Sequence, residues 1–279
     1  MMKRIILLTA LCGVFSACED VEKRAALKLQ EARTAYENGA YNEAKSLIDS
    51  IKILYPKAYD TRHEGIVLMQ EVDLKEQEKS LAFLNEELGR KQQELEGMKK
   101  KFVLEKNAEY QKIGFYLSPS QVIEKNINRS YLRFQCDETG QMSMTTIYCG
   151  NRHIHHTGVK VTAPDGTFAE TPAAKECYES ENLGIKSEKA EFKLGEEGNV
   201  IDFICLNKGK NLKVTYQGEQ SHTATLPASD KEAAAQVREL SLLLSGITEI
   251  KKEMEECKLK ISFIERKKAE REAAASPTN

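Results

Sequence analysis

Two runs of apolar residues, far apart in the chain, set the tightest constraint on what it can fold into. The first comprises Leu74, Leu81, Leu84, Leu88, Leu95, Met98 and Phe102; the second comprises Leu240, Leu243, Ile247, Ile250, Met254, Cys257, Ile261 and Ile264. Steps of three and four residues place such positions on one narrow seam of a helix, and that seam needs a partner helix. Segments 70–112 and 229–272 match in length, so two helices of ~60 Å fit side by side at ~1.5 Å per residue. The expected fold class is α+β: an N-terminal helical hairpin, then a long antiparallel coiled-coil stalk with a small β-sandwich or barrel domain inserted at its tip. In the expected register Leu81 lies by Ile264, Leu88 by Cys257, Leu95 by Ile250, Met98 by Ile247 and Phe102 by Leu243.

Composition agrees with long exposed helices. Charged residues make up 30% of the 279 and the mean hydropathy is -0.51, which suits solvated helices better than one compact globule. The net charge of -2 speaks against nucleic acid as a partner, because binding to phosphate requires a basic excess or a basic face.

The chain starts with Met1-Met2-Lys3-Arg4, an apolar run from Ile5 to Phe15, and then Ser16-Ala17-Cys18. A basic start, a short apolar stretch and small residues before a cut site are the pattern of a secretory signal, assigned here to 1–17. The run is too short to span a bilayer, which takes ~20 residues. Phe15-Ser16-Ala17-Cys18 resembles the lipobox of bacterial lipoproteins. Ser16, Ala17 and Cys18 match it, and Phe15 stands where Leu is usual. The resemblance implies acylation of Cys18 and a cell-envelope location, lipid-anchored to a bacterial membrane, the outer membrane before others, with either face open. Glu19-Asp20 is similar to the acidic export signal of surface-exposed lipoproteins in Bacteroidota.

Without Cys12 and Cys18, five cysteines remain. Four of them, Cys136, Cys149, Cys177 and Cys205, fall in the central segment, where an exported protein has three ways to pair them and buried free thiols are the equal alternative. Cys257 belongs to the stalk seam.

Residues 18–69 read as a helical hairpin running into a third helix. Leu29, Ala32 and Tyr36 share one face, Asn38-Gly39 breaks the helix, and Tyr41, Ala44, Leu47, Ile48 and Ile51 continue the pattern until Tyr55-Pro56. From Ala25 to Ala58 the stretch resembles one tetratricopeptide repeat, matching at Ala32, Gly39, Tyr41, Ala44, Ile48 and Pro56 and departing at Lys28 and Glu31. A single repeat leaves a face uncovered, so the next helix is expected to complete it.

From 113 to 228 the period changes to two. Ser118-Pro119-Ser120-Gln121 reads as the start of a short helix reaching Asn126, with Gln121 closing a capping box. Strands are expected at Tyr131–Cys136, Met142–Cys149, Val159–Val161, Ala190–Leu194, Val200–Leu206 and Leu212–Gln217. Val200–Leu206 is apolar on both faces and is expected at the centre of a sheet. The tail 273–279 is expected to be disordered.

His153-Ile154-His155-His156 is the polar cluster that merits weighing. On a strand His153 and His155 would share a face, a geometry that could hold a transition metal with Asp165 or His222 as a third ligand, although solvent-facing histidines are the commoner outcome. Tyr110, Phe115, Tyr116 and Tyr131 cluster near the stalk end, where they suit packing better than a sugar platform. Glycine-rich phosphate loops and nucleophile elbows do not occur in the sequence. The expected function is a non-enzymatic, lipid-anchored spacer or adaptor that presents the β domain to an unidentified envelope or surface protein, with no cofactor. The alternative is a metal-dependent or glycan-binding β domain on the same stalk.

Overall fold

The structure, a computed structural model, describes residues 5–107 and 109–275, with side chains described from Val21 onward. Cys18, where lipidation is expected, lies outside the described side chains, and residues 276–279 of the tail expected to be disordered lie outside the described residues. The chain divides into two compact units, Met1–Glu86 with Lys252–Asn279 and Glu87–Lys251. Its elements are α1 (Ile5–Glu37), α2 (Tyr41–Leu54), α3 (Tyr59–Lys99), β1 (Val103–Glu105), β2 (Phe115–Leu117), β3 (Tyr131–Asp137), β4 (Met142–Gly150), β5 (Gly158–Thr162), β6 (Phe168–Glu170), β7 (Cys177–Asn182), β8 (Ile185–Lys193), α4 (Val200–Leu206), β9 (Lys213–Gln217), β10 (His222–Thr225) and α5 (Ala228–Ala275).

In the first unit, α1 and α2 form the hairpin read from the sequence and bury one cluster with the start of α3. Ala25, Leu29, Ala32 and Ala35 of α1 meet Ala44, Ile48 and Ile51 of α2 and Leu68 and Val72 of α3. Four alanines in that interface let the helix backbones approach closely. The carboxylate of Glu22 accepts from the backbone N–H of Thr61 at 2.8 Å and from its hydroxyl at 2.7 Å, satisfying a donor in the first turn of α3. Lys45 pairs with both Asp73 and Glu76, tying α2 to α3. The end of α5 runs beside α3 in this unit: Arg271 donates to Gln70, and Leu84 and Cys257 line one groove. Ile264 lines one groove together with Leu74 and another together with Gln77.

The second unit holds two antiparallel sheets. One is six-stranded in the order β1-β2-β3-β4-β8-β7, the other four-stranded in the order β10-β9-β5-β6. They share one core: Leu132, Phe134, Met142, Met144, Ala190 and Phe192 from the first sheet, Val159, Val161, Val214 and Tyr216 from the second. Leu95 of α3 and Val237, Leu240, Leu243, Leu244 and Ile247 of α5 belong to the same core. Of the expected seam, Leu84, Leu95, Leu243, Ile247, Cys257 and Ile264 are buried, whereas Leu81, Leu88, Met98, Phe102, Ile250 and Ile261 are half-buried.

Three expectations are corrected. The first arm does not stay helical to residue 112, because α3 ends at Lys99 and Val103–Glu105 pairs with Phe115–Leu117 as a strand. Phe102 packs on the β core instead of lengthening the helix. The short helix before Asn126 shrinks to a single 3-10 turn, Ile123–Lys125. Gln121 does not close a capping box; its amide accepts from Phe134 N at 2.7 Å and donates to Leu132 O at 3.1 Å, bracing β3. Val200–Leu206 is a helix, not a central strand. Asn199 enters it with φ 62°, Val200, Ile201 and Ile204 are buried, and Asp202 accepts from Arg238 of α5 at 2.8 Å. Apolar residues also occupy the open side of this helix, Leu206 being exposed, and a short run of this kind looks the same by periodicity whether strand or helix.

The turn between β3 and β4 docks on α5 through backbone carbonyls. Gly140 O accepts from Ser241 Oγ at 2.6 Å and Ser245 Oγ at 3.2 Å, and Thr139 O accepts from Thr248 Oγ1 at 3.0 Å. Gly140 has φ +97°, and a Cβ there would lie 2.3 Å from Ser245 N and 2.8 Å from Ser241 O. Gly166 has φ +85° with open space around it. Gly166→Ala should therefore cost backbone strain alone, about 1 kcal/mol, whereas Gly140→Ala adds a backbone collision and should cost about 3 kcal/mol. Denaturant midpoints of the two variants measure the difference.

Candidate functional site

The histidine cluster folds into a loop after β4 and wraps a buried carboxylate that the sequence analysis did not single out. Glu188 of β8 is fully buried. Its Oε1 accepts from the backbone N–H of Ile154 at 2.7 Å and of His155 at 3.0 Å, and lies 3.1 Å from His153 Nδ1. Its Oε2 accepts from His156 N at 2.8 Å and lies 2.9 Å from His156 Nδ1. His155 sits in the left-handed region at φ 52°, which curls the chain so that consecutive N–H groups converge on one anion.

Burial alone would raise the Glu188 carboxyl, but the backbone and imidazole donors of His156 and the N–H groups of Ile154 and His155 outweigh it and hold it at about 2. The loop is thus organised by an ionised carboxylate. On its other side the loop meets the turn between β9 and β10, where Thr157 N donates to Gln217 O at 2.9 Å. A Cβ on Gly218 would lie 2.3 Å from Ile154 O, so only glycine allows this approach.

The three histidines part company. His156 is fully buried, its Nε2 is 2.9 Å from Thr146 Oγ1, and its ring stands edge-on to Tyr216 of the facing sheet. His153 and His155 stack on the open side with ring centroids 5.7 Å apart. His155 Nδ1 is 2.7 Å from Glu179 Oε1 of β7, a contact that raises the pKa of His155. His222 of β10 packs edge-on to Tyr148 at 5.3 Å, and Asp165 is paired with Lys210 at 2.7 Å, so neither joins the cluster as sequence spacing suggested.

Cys136, Cys149, Cys177 and Cys205 are free thiols. Cys149 lies across from Ser187 and Cys177 across from Ala190, on opposite sides of β8. Burial pushes the Cys136 thiol up to about 12 and the Cys205 thiol to about 11, which keeps both protonated and unreactive. Tyr116 and Tyr131 are buried, Phe115 is half-buried and Tyr110 is exposed, so the four do not make a shared exposed face.

Glu188 carries a sequence signal that was open to use. Ala190 and Phe192 are on the buried parity of β8, and counting back by two reaches Glu188. A carboxylate on the apolar parity of a strand demands a donor set. Glu179 gives no such signal, since every residue of β7 is exposed.

Comparison with protein-family models, with curated proteins and with solved structures finds no match for this chain. Among the described residues, no helix is long and apolar enough to cross a membrane.

Proposed function

We propose that the protein is a lipid-anchored component of a bacterial cell envelope, a non-enzymatic adaptor that presents its two-sheet unit to another envelope or surface protein. The observation that carries the reading is the N-terminal sequence, a basic start and an apolar run ending in Ser16-Ala17-Cys18. Acylation there would hold the helical hairpin at the membrane. The lengths of α3 and α5, 41 and 48 residues, support their use as paired arms, as does their side-by-side course within the first unit. In the second unit the buried Glu188 accepts from the N–H groups of Ile154, His155 and His156 and so sets the shape of one loop of the two-sheet unit.

Lipid labelling in a host that processes such signals tests the anchor. Wild type should incorporate labelled fatty acid and fractionate with membranes, and Cys18→Ala should do neither. Equal labelling of both proteins sinks the reading. Crosslinking in intact cells then asks for a partner that contacts the segment 87–251.

A further inference from the structure

We propose that His153, Glu179 and Glu188 form a binding site for one zinc-like divalent cation. The site is independent of the lipid anchor and of the adaptor reading. Glu179 and Glu188 are directly opposite one another across β7 and β8. Like charges at such a cross-strand pair repel and destabilise the sheet unless a cation lies between or beside them. His153 comes to this pair from the loop after β4, with Nδ1 at 3.1 Å from Glu188 Oε1 and 3.7 Å from Glu179 Oε2. One ligand atom from each of the three side chains lies within 4.8 Å of the other two.

The two separations at His153 bracket the edge of a coordination shell. Zinc bonds of ~2.0–2.2 Å to nitrogen and oxygen at tetrahedral angles put neighbouring ligand atoms about 3.4 Å apart, between the two distances found at His153. The edge between Glu179 and Glu188 is bounded by the 4.8 Å separation, so a cation draws the more exposed Glu179 carboxylate inward and takes the place of a proton on Nδ1. Two carboxylates and a neutral imidazole balance a dication, and an imidazole in the set favours zinc over magnesium or calcium.

The carboxylates are oriented in advance. Glu188 is fixed by the N–H groups of Ile154 and His155, and Glu179 Oε1 is engaged by His155 Nδ1, which leaves Oε2 turned to His153. Such supporting contacts are what hold metal ligands in place. Burial is graded across the set: the Glu188 side chain is fully enclosed, whereas those of His153 and Glu179 are 24% and 36% exposed. Three protein ligands with one open side leave a coordination position for water or for a group brought by a partner.

The full chain, freed of affinity histidines and stripped with chelator, is titrated with Zn2+ at neutral pH by calorimetry, and bound metal is counted by elemental analysis after dialysis. The proposal expects one tight equivalent per chain. Glu179→Gln alone and the pair His153→Asn with Glu179→Gln spare the buried Glu188, and both should fold as wild type does by circular dichroism. The double variant should bind Zn2+ ~100-fold more weakly or worse. Absence of saturable binding in wild type overturns the site. So does equal affinity in the folded Glu179→Gln and double variants, which would place the metal on the thiols or on other histidines.

Discussion

A fragment of residues 87–251 is expected to unfold cooperatively on its own, whereas a fragment of residues 113–228 is expected not to fold. The sequence suggested the narrower boundary because the period changes from helix to strand near Gly114. The core does not respect that change. Leu95 from α3 and Val237, Leu240, Leu243, Leu244 and Ile247 from α5 are buried in the same cluster as the two sheets. At ~1.5 kcal/mol for each side chain exposed, cutting at 113 and 228 removes about 9 kcal/mol of burial, as much as the whole net stability of an ordinary domain. The narrow cut also deletes β1 and strips β2 of its edge partner. Far-ultraviolet circular dichroism and a urea titration of the two fragments decide the matter. Cooperative unfolding of 113–228 with wild-type stability would show that the helices only rest on the sheets.

The same packing explains which parts of the fold could be read in advance. Heptad spacing located α3 and α5 because a helix keeps its period whatever it packs against, and β3, β5 and β9 were legible because apolar and polar residues alternate along them. What periodicity could not say is what each seam meets. Leu95 and Ile247 look identical to coiled-coil positions, but here they also face strands. Phe102-Val103 continued the apolar pattern of α3 and nonetheless left the helix, since pairing with Phe115–Leu117 satisfies that backbone instead. Val200–Leu206 failed for a different reason: its apolar residues continue onto the exposed side at Leu206, so they do not mark the buried face. The strand β7 was invisible because its Cys177–Asn182 stretch is exposed throughout and carries no alternation.

The histidine cluster was legible as a place but not as an arrangement. Sequence spacing put His153 and His155 on one face of a strand, and they do stack, but in a loop bent by the left-handed His155. The residue that makes the loop, Glu188, is more than thirty positions away, and its partner Glu179 is reached only through the register of β7 on β8. Distance in sequence hides both carboxylates, and only the parity of β8 hinted at one.

Replacing Glu188 with Ala should cost about 3–5 kcal/mol, measured in the presence of chelator so that no bound cation contributes. The carboxylate is the acceptor for the N–H groups of Ile154, His155 and His156 and the partner of the His156 imidazole, and no water reaches it. Removing it leaves that set of donors facing an apolar methyl. Those unpaired donors cannot simply turn to solvent, because His156 is fully enclosed between Thr146 and Tyr216 and the loop is pinned by Gly218. Glu188→Gln keeps the shape but points an amide N–H2 at one group of donors, so it should recover only part of the loss. Glu191→Ala, three residues along the same strand and exposed, supplies the control and should stay within ~0.5 kcal/mol of wild type. Equal urea midpoints for Glu188→Ala and Glu191→Ala would mean that the histidine loop folds without its anion. A large loss confined to Glu188, with hydrogen exchange accelerated first at Ile154, His155 and His156, is the outcome the geometry requires, because those amides lose their acceptor before any other part of the sheet is disturbed.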